Sequence, residues 1–146
     1  MTLEVGPLHV EDRLRWTVLW RDYLAFYQTE LPGGTYDETW RRILGDTALH
    51  GLAARRDGQT AGITHFLFHG SAWTTAPVCY LQDLFVDPAV RGCRIGRALI
   101  EGVAGRARQQ GTARLYWLTQ DHNAAARRLY DRLALNSGFI RYELAL

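Results

Sequence analysis

Nine almost wholly apolar residues, "VCYLQDLFV" (78–86), run into Pro88, then a basic, glycine-bearing turn, and at once into a helical repeat. A run that apolar suits a central strand covered on both faces. Ile95, Ala98, Leu99, Gly102, Val103 and Ala107 then fall on one stripe of a helix predicted over Arg94–Gln110, which Gly111 closes. "TARLYWLT" (112–119) follows as a second buried strand. A strand–helix–strand crossover of this kind requires a sheet with helices packed on its faces.

The rest of the chain fits around that unit. Residues 2–5 form a short strand that Gly6 and Pro7 should break. From Val10 to Tyr27, Leu14, Val18, Leu24 and Ala25, with Trp16, Trp20, Tyr23 and Tyr27, keep helical spacing, and "LPGG" ends the helix. A shorter helix is predicted over Asp37–Leu44, before Gly45. "ALHGLAARRDGQTAGITHFLFHG" splits at Asp57-Gly58 into two strands of a hairpin. Asn123–Leu135 reads as a helix with Ala126, Leu129, Tyr130 and Leu133 on one face, and "FIRYELAL" (139–146) alternates like a closing strand. The expectation is one α/β domain over 1–146, with a mixed, mostly antiparallel sheet flanked by helices.

At 47% hydrophobic and 22% charged, the chain has enough apolar residues for a packed core. Its net charge of +2 is too small, and its arginines too interspersed with acids, for nucleic-acid binding. Cys79 and Cys93 have no metal-ligand spacing, so no metal is expected, and with no basic-then-apolar leader they fit a cytoplasmic protein. No apolar run is long enough to span a membrane.

The turn "RGCRIG" carries the chemistry. A helix N-terminus leaves backbone N–H groups unpartnered and partly positive. Gly92 and Gly96 let a ligand approach the backbone, while Arg91 and Arg94 add charge, so the turn suits a phosphate or diphosphate. The bland alternative is a tight turn with solvated arginines.

"LFVDPAVRGCRIGRALI" resembles the acetyl-coenzyme A diphosphate loop of the GNAT acetyltransferase superfamily, Gln/Arg-x-x-Gly-x-Gly/Ala after a strand ending in Val-Asp-Pro. Arg91 matches the first position and Gly96 the last. Arg94 stands where the family usually has Gly: a helical φ lets it serve through its amide, whereas a positive φ there would strain it by about 1 kcal/mol or more. "YWLTQDHNAAARRLYDRLALNSGFIRYEL" is similar to a second segment of the same family, in the branch with yeast histone, polyamine and D-amino-acid acetyltransferases.

The resemblance implies an N-acetyltransferase that moves the acetyl group of acetyl-CoA to a primary amine by direct attack. It implies that the pantetheine arm lies along Leu84, Phe85 and Val86. It places the diphosphate on Arg91, Gly92, Cys93, Arg94, Ile95, Gly96, Arg97 and Ala98. Tyr130 matches the family's proton donor to the departing thiolate, and Asn123 contacts the arm or the acceptor region and caps its helix. The plainer reading makes Tyr130 a core residue beside Leu129 and Leu133.

No general base emerges from the sequence. Relatives often carry Glu-Asp where this chain has Gln82-Asp83, and an amide cannot take a proton. Strand alternation turns Asp83 to the opposite face from Gln82. Glu30, His65 and His69 lack geometric support. The acceptor site is expected around Tyr23, Tyr27 and Glu30, where ring faces and acids suit a small cation. A polyamine, amino acid or similar small amine is the first expectation. A peptide or protein amine, or a coenzyme A-binding regulatory module without turnover, stay open, and the branch suggests a homodimer.

Overall fold

The computed structural model describes residues 1–146. Five strands, β1 (Leu3–Pro7), β2 (Leu49–Arg56), β3 (Gln59–His69), β4 (Val78–Val86) and β5 (Leu115–Trp117), form one sheet in sequence order. Neighbours are antiparallel except β4 and β5, which the crossover helix α3 (Ile95–Gln109) makes parallel. Helices α1 (Arg13–Phe26) and α2 (Gly33–Leu44) cover one face of the sheet. Helix α3 covers the other, with α4 (Ala124–Leu133) beside it.

The core is accordingly double. Leu52, Phe66, Cys79 and Leu81 meet Ile95, Leu99, Ile100 and Val103 of α3 on one side. Ala53, Ile63 and Phe85 meet Trp16, Leu19, Trp20 and Trp40 on the other. A Cβ on Gly102 would stand 2.7 Å from Val5 Cγ1, so α3 can lie this close to β1 only because that position is glycine. Asp57 and Gly58 both adopt positive φ, 51° and 82°, as a two-residue hairpin turn requires.

Several elements depart from the sequence reading. The first strand continues through Gly6 and Pro7, because β1 is an edge strand where a missing N–H is tolerated. Helix α2 starts at Gly33, after Pro32, rather than at Asp37. Strand β5 has three residues, fewer than "TARLYWLT" suggested. The alternating tail, 139–146, forms no ladder within the chain, and Leu135, Phe139, Ile140, Tyr142 and Leu144 are exposed. Its alternation needs an edge to pair with, and none of its residues joins the ladder of β5.

Arg94 takes the strained of its two alternatives. It adopts φ 62° and ψ 18°, the left-handed region, as the residue preceding the first turn of α3. This is the conformation for which glycine is suited, and a side chain there costs roughly 1 kcal/mol or more.

Candidate active site

Strand β4 places two grooves on opposite sides of itself. It pairs with β5 only from Cys79 to Leu81, opposite Leu115 to Trp117. Beyond Leu81 the two strands part, so Leu84, Phe85 and Val86 have a strand partner on the β3 side alone. The backbone edge facing the gap is open to pairing with an extended ligand.

On the α3 side of this fork, a groove of about 350 Å³ is lined by Val86, Arg91, Gly92, Arg94, Gly96 and Arg97, with Leu129 and Arg132 of α4. No side chain caps the start of α3. The first helical bond is Ala98 N–H to the Arg94 carbonyl, which leaves the amides of Ile95, Gly96 and Arg97 without intrahelical partners. Ala98 therefore offers no free amide.

The cationic side chains are differently engaged. Arg91 donates from Nε to the Val86 carbonyl at 3.2 Å and lies over the Phe85 ring at 5.3 Å. Arg97 pairs with Glu101 at 2.8 Å, and Arg94 and Arg132 make no ion pair or hydrogen bond. Cys93 packs against the core and Ile95 is buried within it, so either could contact a ligand only through its backbone. Gly92 has φ 85°, and a Cβ on Gly96 would stand 3.6 Å from Leu129, on the groove floor. Four guanidinium groups and three open amides around a small-residue floor fit a diphosphate.

Tyr130 stands at the fork. Its ring meets Trp117 edge-on at 5.5 Å, and Trp117 is the residue paired with Leu81. Tyr130 packs against the core with Leu129 and Leu133, yet its hydroxyl donates to no protein group. Burial, and then the neighbouring Tyr27, raise its pKa above the usual phenol value. Asn123 caps α4, its side-chain oxygen accepting from Ala126 N–H at 3.2 Å.

The opposite groove, of about 390 Å³, holds the group that strand alternation misplaced. In the β3–β4 ladder His65 faces Asp83 and Phe66 faces Leu81, so Gln82 is the extra residue of a β-bulge. Leu81 and Leu84 both point to the α3 core, and the two residues between them both turn to the α1/α2 face. Thr64 Oγ1 secures the bulge by donating to the Asp83 carbonyl at 2.7 Å. Gln82 and Asp83 thus line one groove with His65, Trp20, Thr39 and Arg42.

Asp83 is held by a buried chain. Trp16 Nε1 donates to His65 Nε2 at 3.0 Å, and His65 Nδ1 lies 3.0 Å from Asp83 Oδ2. An indole nitrogen can only donate, so His65 Nε2 accepts and the ring proton sits on Nδ1, pointing at the carboxylate. With one nitrogen filled and the other already protonated, His65, 1% exposed, has no lone pair to offer a substrate. It holds Asp83 in place.

Tyr23 stacks on Trp20 at 5.0 Å and meets Tyr27 edge-on at 5.0 Å. Burial, then the Asp83 charge, raises the pKa of both phenols, so they stay neutral beside the carboxylate. Glu30 is exposed in the loop after α1 and lines neither groove. His69 is occupied by the Tyr116 hydroxyl at 2.7 Å. Burial pushes the Cys79 thiol up to about 11, which suits packing rather than nucleophilic chemistry.

The family model for acetyltransferases of the GNAT type matches residues 16–134, and both grooves lie within that span. The chain belongs to the GNAT acetyltransferase family. The D-amino-acid N-acetyltransferase of Saccharomyces cerevisiae is 32% identical over 142 residues, which cover 95% of this chain and 88% of that protein. The thialysine N-epsilon-acetyltransferase of Caenorhabditis elegans is 32% identical over 94 residues, 64% of this chain and 58% of that one. The solved structure of ribosomal-protein-alanine N-acetyltransferase from Brucella melitensis biovar Abortus 2308 matches over the whole of both chains with a TM-score of 0.83 at 23% identity. That of AAC(6')-Iy with a coenzyme A bisubstrate analogue matches with a TM-score of 0.85 at 17% identity. The two structures share the GNAT fold with this chain. As a GNAT protein the chain is an acetyl-CoA-dependent N-acetyltransferase, and the mixed sheet, the family and the acetyl donor agree with the sequence reading.

Asp83, Thr39 and Arg42, which line the second groove, were not among the candidate site residues of the sequence. One signal was available for Asp83: two adjacent polar residues inside an otherwise apolar strand cannot both satisfy strict alternation without sending one into the core.

Proposed function

We propose that this GNAT enzyme acetylates the primary amine of a small molecule that enters from the α1/α2 side. The observation that supports it is the arrangement at the fork, where Tyr130, with an unspent hydroxyl, lies on one side of β4 and the locked carboxylate of Asp83 on the other. The yeast and nematode relatives are named for acetylation of D-amino acids and of thialysine, which are small amines.

The donor groove would hold the diphosphate on the Ile95, Gly96 and Arg97 amides, with Arg91, Arg94 and Arg132 around it. Leu84, Phe85 and Val86 would pair with the arm through their open backbone edge, and Cys93 would act through its amide. Gly92 keeps the turn tight, and Asn123 fixes the start of the helix that carries Tyr130. Acetyl-CoA supplies an activated acyl carbon as a thioester.

An alkyl ammonium with pKa near 10.4 is neutral in only about one molecule in 2,500 at pH 7, so its deprotonation costs roughly 4–5 kcal/mol. Asp83 receives the ammonium and accepts one of its protons, and His65 and Trp16 keep the carboxylate oriented for that transfer. The amine lone pair then would form the C–N bond as the C–S bond breaks, Tyr130 would give its proton to the departing sulfur, and the proton that the nitrogen sheds on becoming an amide would restore the Tyr130 phenol. Tyr23 and Tyr27 wall the acceptor side with neutral rings.

The exposed, alternating tail supports self-association, with 139–146 of one copy adding to the free edge of β5 in a second. Light scattering should then give twice the 16.6 kDa of one chain, and a value of 16.6 kDa would contradict pairing.

The test of the function is thiol release from acetyl-CoA with a panel of small amines, alongside a peptide with a free N-terminus. Turnover confined to small amines supports the reading. Turnover confined to the peptide, or coenzyme binding with no turnover, overturns it.

A further inference from the structure

The acceptor groove carries charges of both signs that do not neutralise each other. Asp83 supplies the negative charge, with Oδ2 held by His65. Arg42 supplies the positive charge from α2. Its nearest acid is Glu38, 3.8 Å from Nε, but Arg41 already clasps Glu38 through two bonds of 2.9 and 2.7 Å. Arg42 Nε is closed over and has no hydrogen-bond partner.

Two further donors lie in the same groove. Trp20 is 8% exposed, and its indole N–H is unpartnered. Thr39 is 7% exposed, and its hydroxyl makes no hydrogen bond. Buried donors without partners are rare in folded proteins, and two in the lining of one groove, the Trp20 and Arg42 nitrogens, mark a place where an anion completes the structure. The Trp20 indole nitrogen and Arg42 Nε are screened from water, while the Arg42 side chain as a whole is 44% exposed and so within reach of an anion in the groove.

Resting on the reading of this groove as the acceptor site, we infer that it recognises an amino acid as its zwitterion. The ammonium sits on Asp83, and the carboxylate on Arg42 with Trp20 and Thr39. Asp83 prepares the reacting nitrogen, and Arg42 is the residue that determines specificity. A simple alkylamine leaves the three donors unfilled, while a polyamine brings a second cation against Arg42. Both are therefore disfavoured.

The experiment compares D- and L-phenylalanine with phenethylamine, and D- and L-leucine with isoamylamine, in wild-type protein and in Arg42→Gln and Arg42→Lys. The expected result is a kcat/KM at least tenfold higher for an amino acid than for its decarboxylated amine. In Arg42→Gln that ratio should collapse through KM, and Arg42→Lys should restore part of it. Calorimetry of the amino acids against the protein without coenzyme gives a second readout, with binding in the wild type and a loss of tenfold or more in Arg42→Gln. Amines equal to or better than amino acids, or an unchanged ratio in Arg42→Gln, would overturn the inference while leaving small-amine acetylation standing. If nothing is turned over, the underlying function fails, and calorimetry still decides this site: no binding, or equal binding by both proteins, overturns it. Melting curves of the variants check that each is folded.

Discussion

The two faces of β4 differ in how their chemistry is encoded. On the donor face, most of the groove comes from residues 84–98, a strand end, a Pro-led turn, two glycines, arginines and an open helix start, and α4 adds Arg132 and Tyr130. On the acceptor face, Asp83 depends on His65 from β3 and Trp16 from α1, and the groove is completed by Thr39 and Arg42 from α2. The first is mostly local and the second is assembled across the fold. A site that only tertiary packing creates is also one that can change its substrate without disturbing the coenzyme.

That separation predicts unequal losses. Asp83→Asn should show the largest, a fall in kcat/KM of about 100-fold to 10,000-fold with coenzyme affinity unchanged within about twofold, read by steady-state rates and calorimetry. Tyr130→Phe should lower kcat by about 10-fold to 1,000-fold, again with little change in coenzyme binding. Full activity in either variant would break the division of labour between the faces. Reversal of Arg91 to Glu should do the converse, weakening coenzyme binding by about tenfold or more, while reversal of exposed Arg21 should not.

The pH profile sharpens the same contrast. Tyr130 must be protonated to donate, and burial, with Tyr27 nearby, raises its pKa. The alkaline fall in activity should therefore lie above the ordinary phenol value of about 10, and Tyr130→Phe should remove it. A fall centred well below 10 would contradict the role.

The smallest effect concerns stability. Arg94→Gly should relieve the left-handed strain and raise stability by up to about 1 kcal/mol, measured by thermal melting, while removing one cation from the donor groove. A lower melting temperature would show that Arg94 is held by contacts worth more than its strain.

The same division explains what could be read from the chain beforehand. Strand β4, the turn and α3 were legible because apolar pattern, Pro88, Gly92 and Gly96 are adjacent in sequence, and the hairpin because Asp57-Gly58 is a local turn signal. Arg94 was open between a helical and a positive φ, since only neighbouring geometry decides whether that residue or the next begins the helix. Asp83 was sent to the wrong face because a single inserted residue resets alternation, and whether it is inserted depends on the partner strand. Arg42 carried no signal in the sequence, because only the fold shows that Arg41 takes both bonds to Glu38. The tail carried a strand's alternation without a strand's partner, because alternation records what a segment can pair with and not whether the partner lies in the same chain.

The most direct test of the two-faced strand is a crystal structure with coenzyme A and an amine acceptor bound together. The account predicts the diphosphate at the amides of Ile95, Gly96 and Arg97, the arm along Leu84–Val86, and the acceptor nitrogen within hydrogen-bond distance of Asp83. Both ligands on the same side of β4, or the diphosphate away from the start of α3, would contradict it.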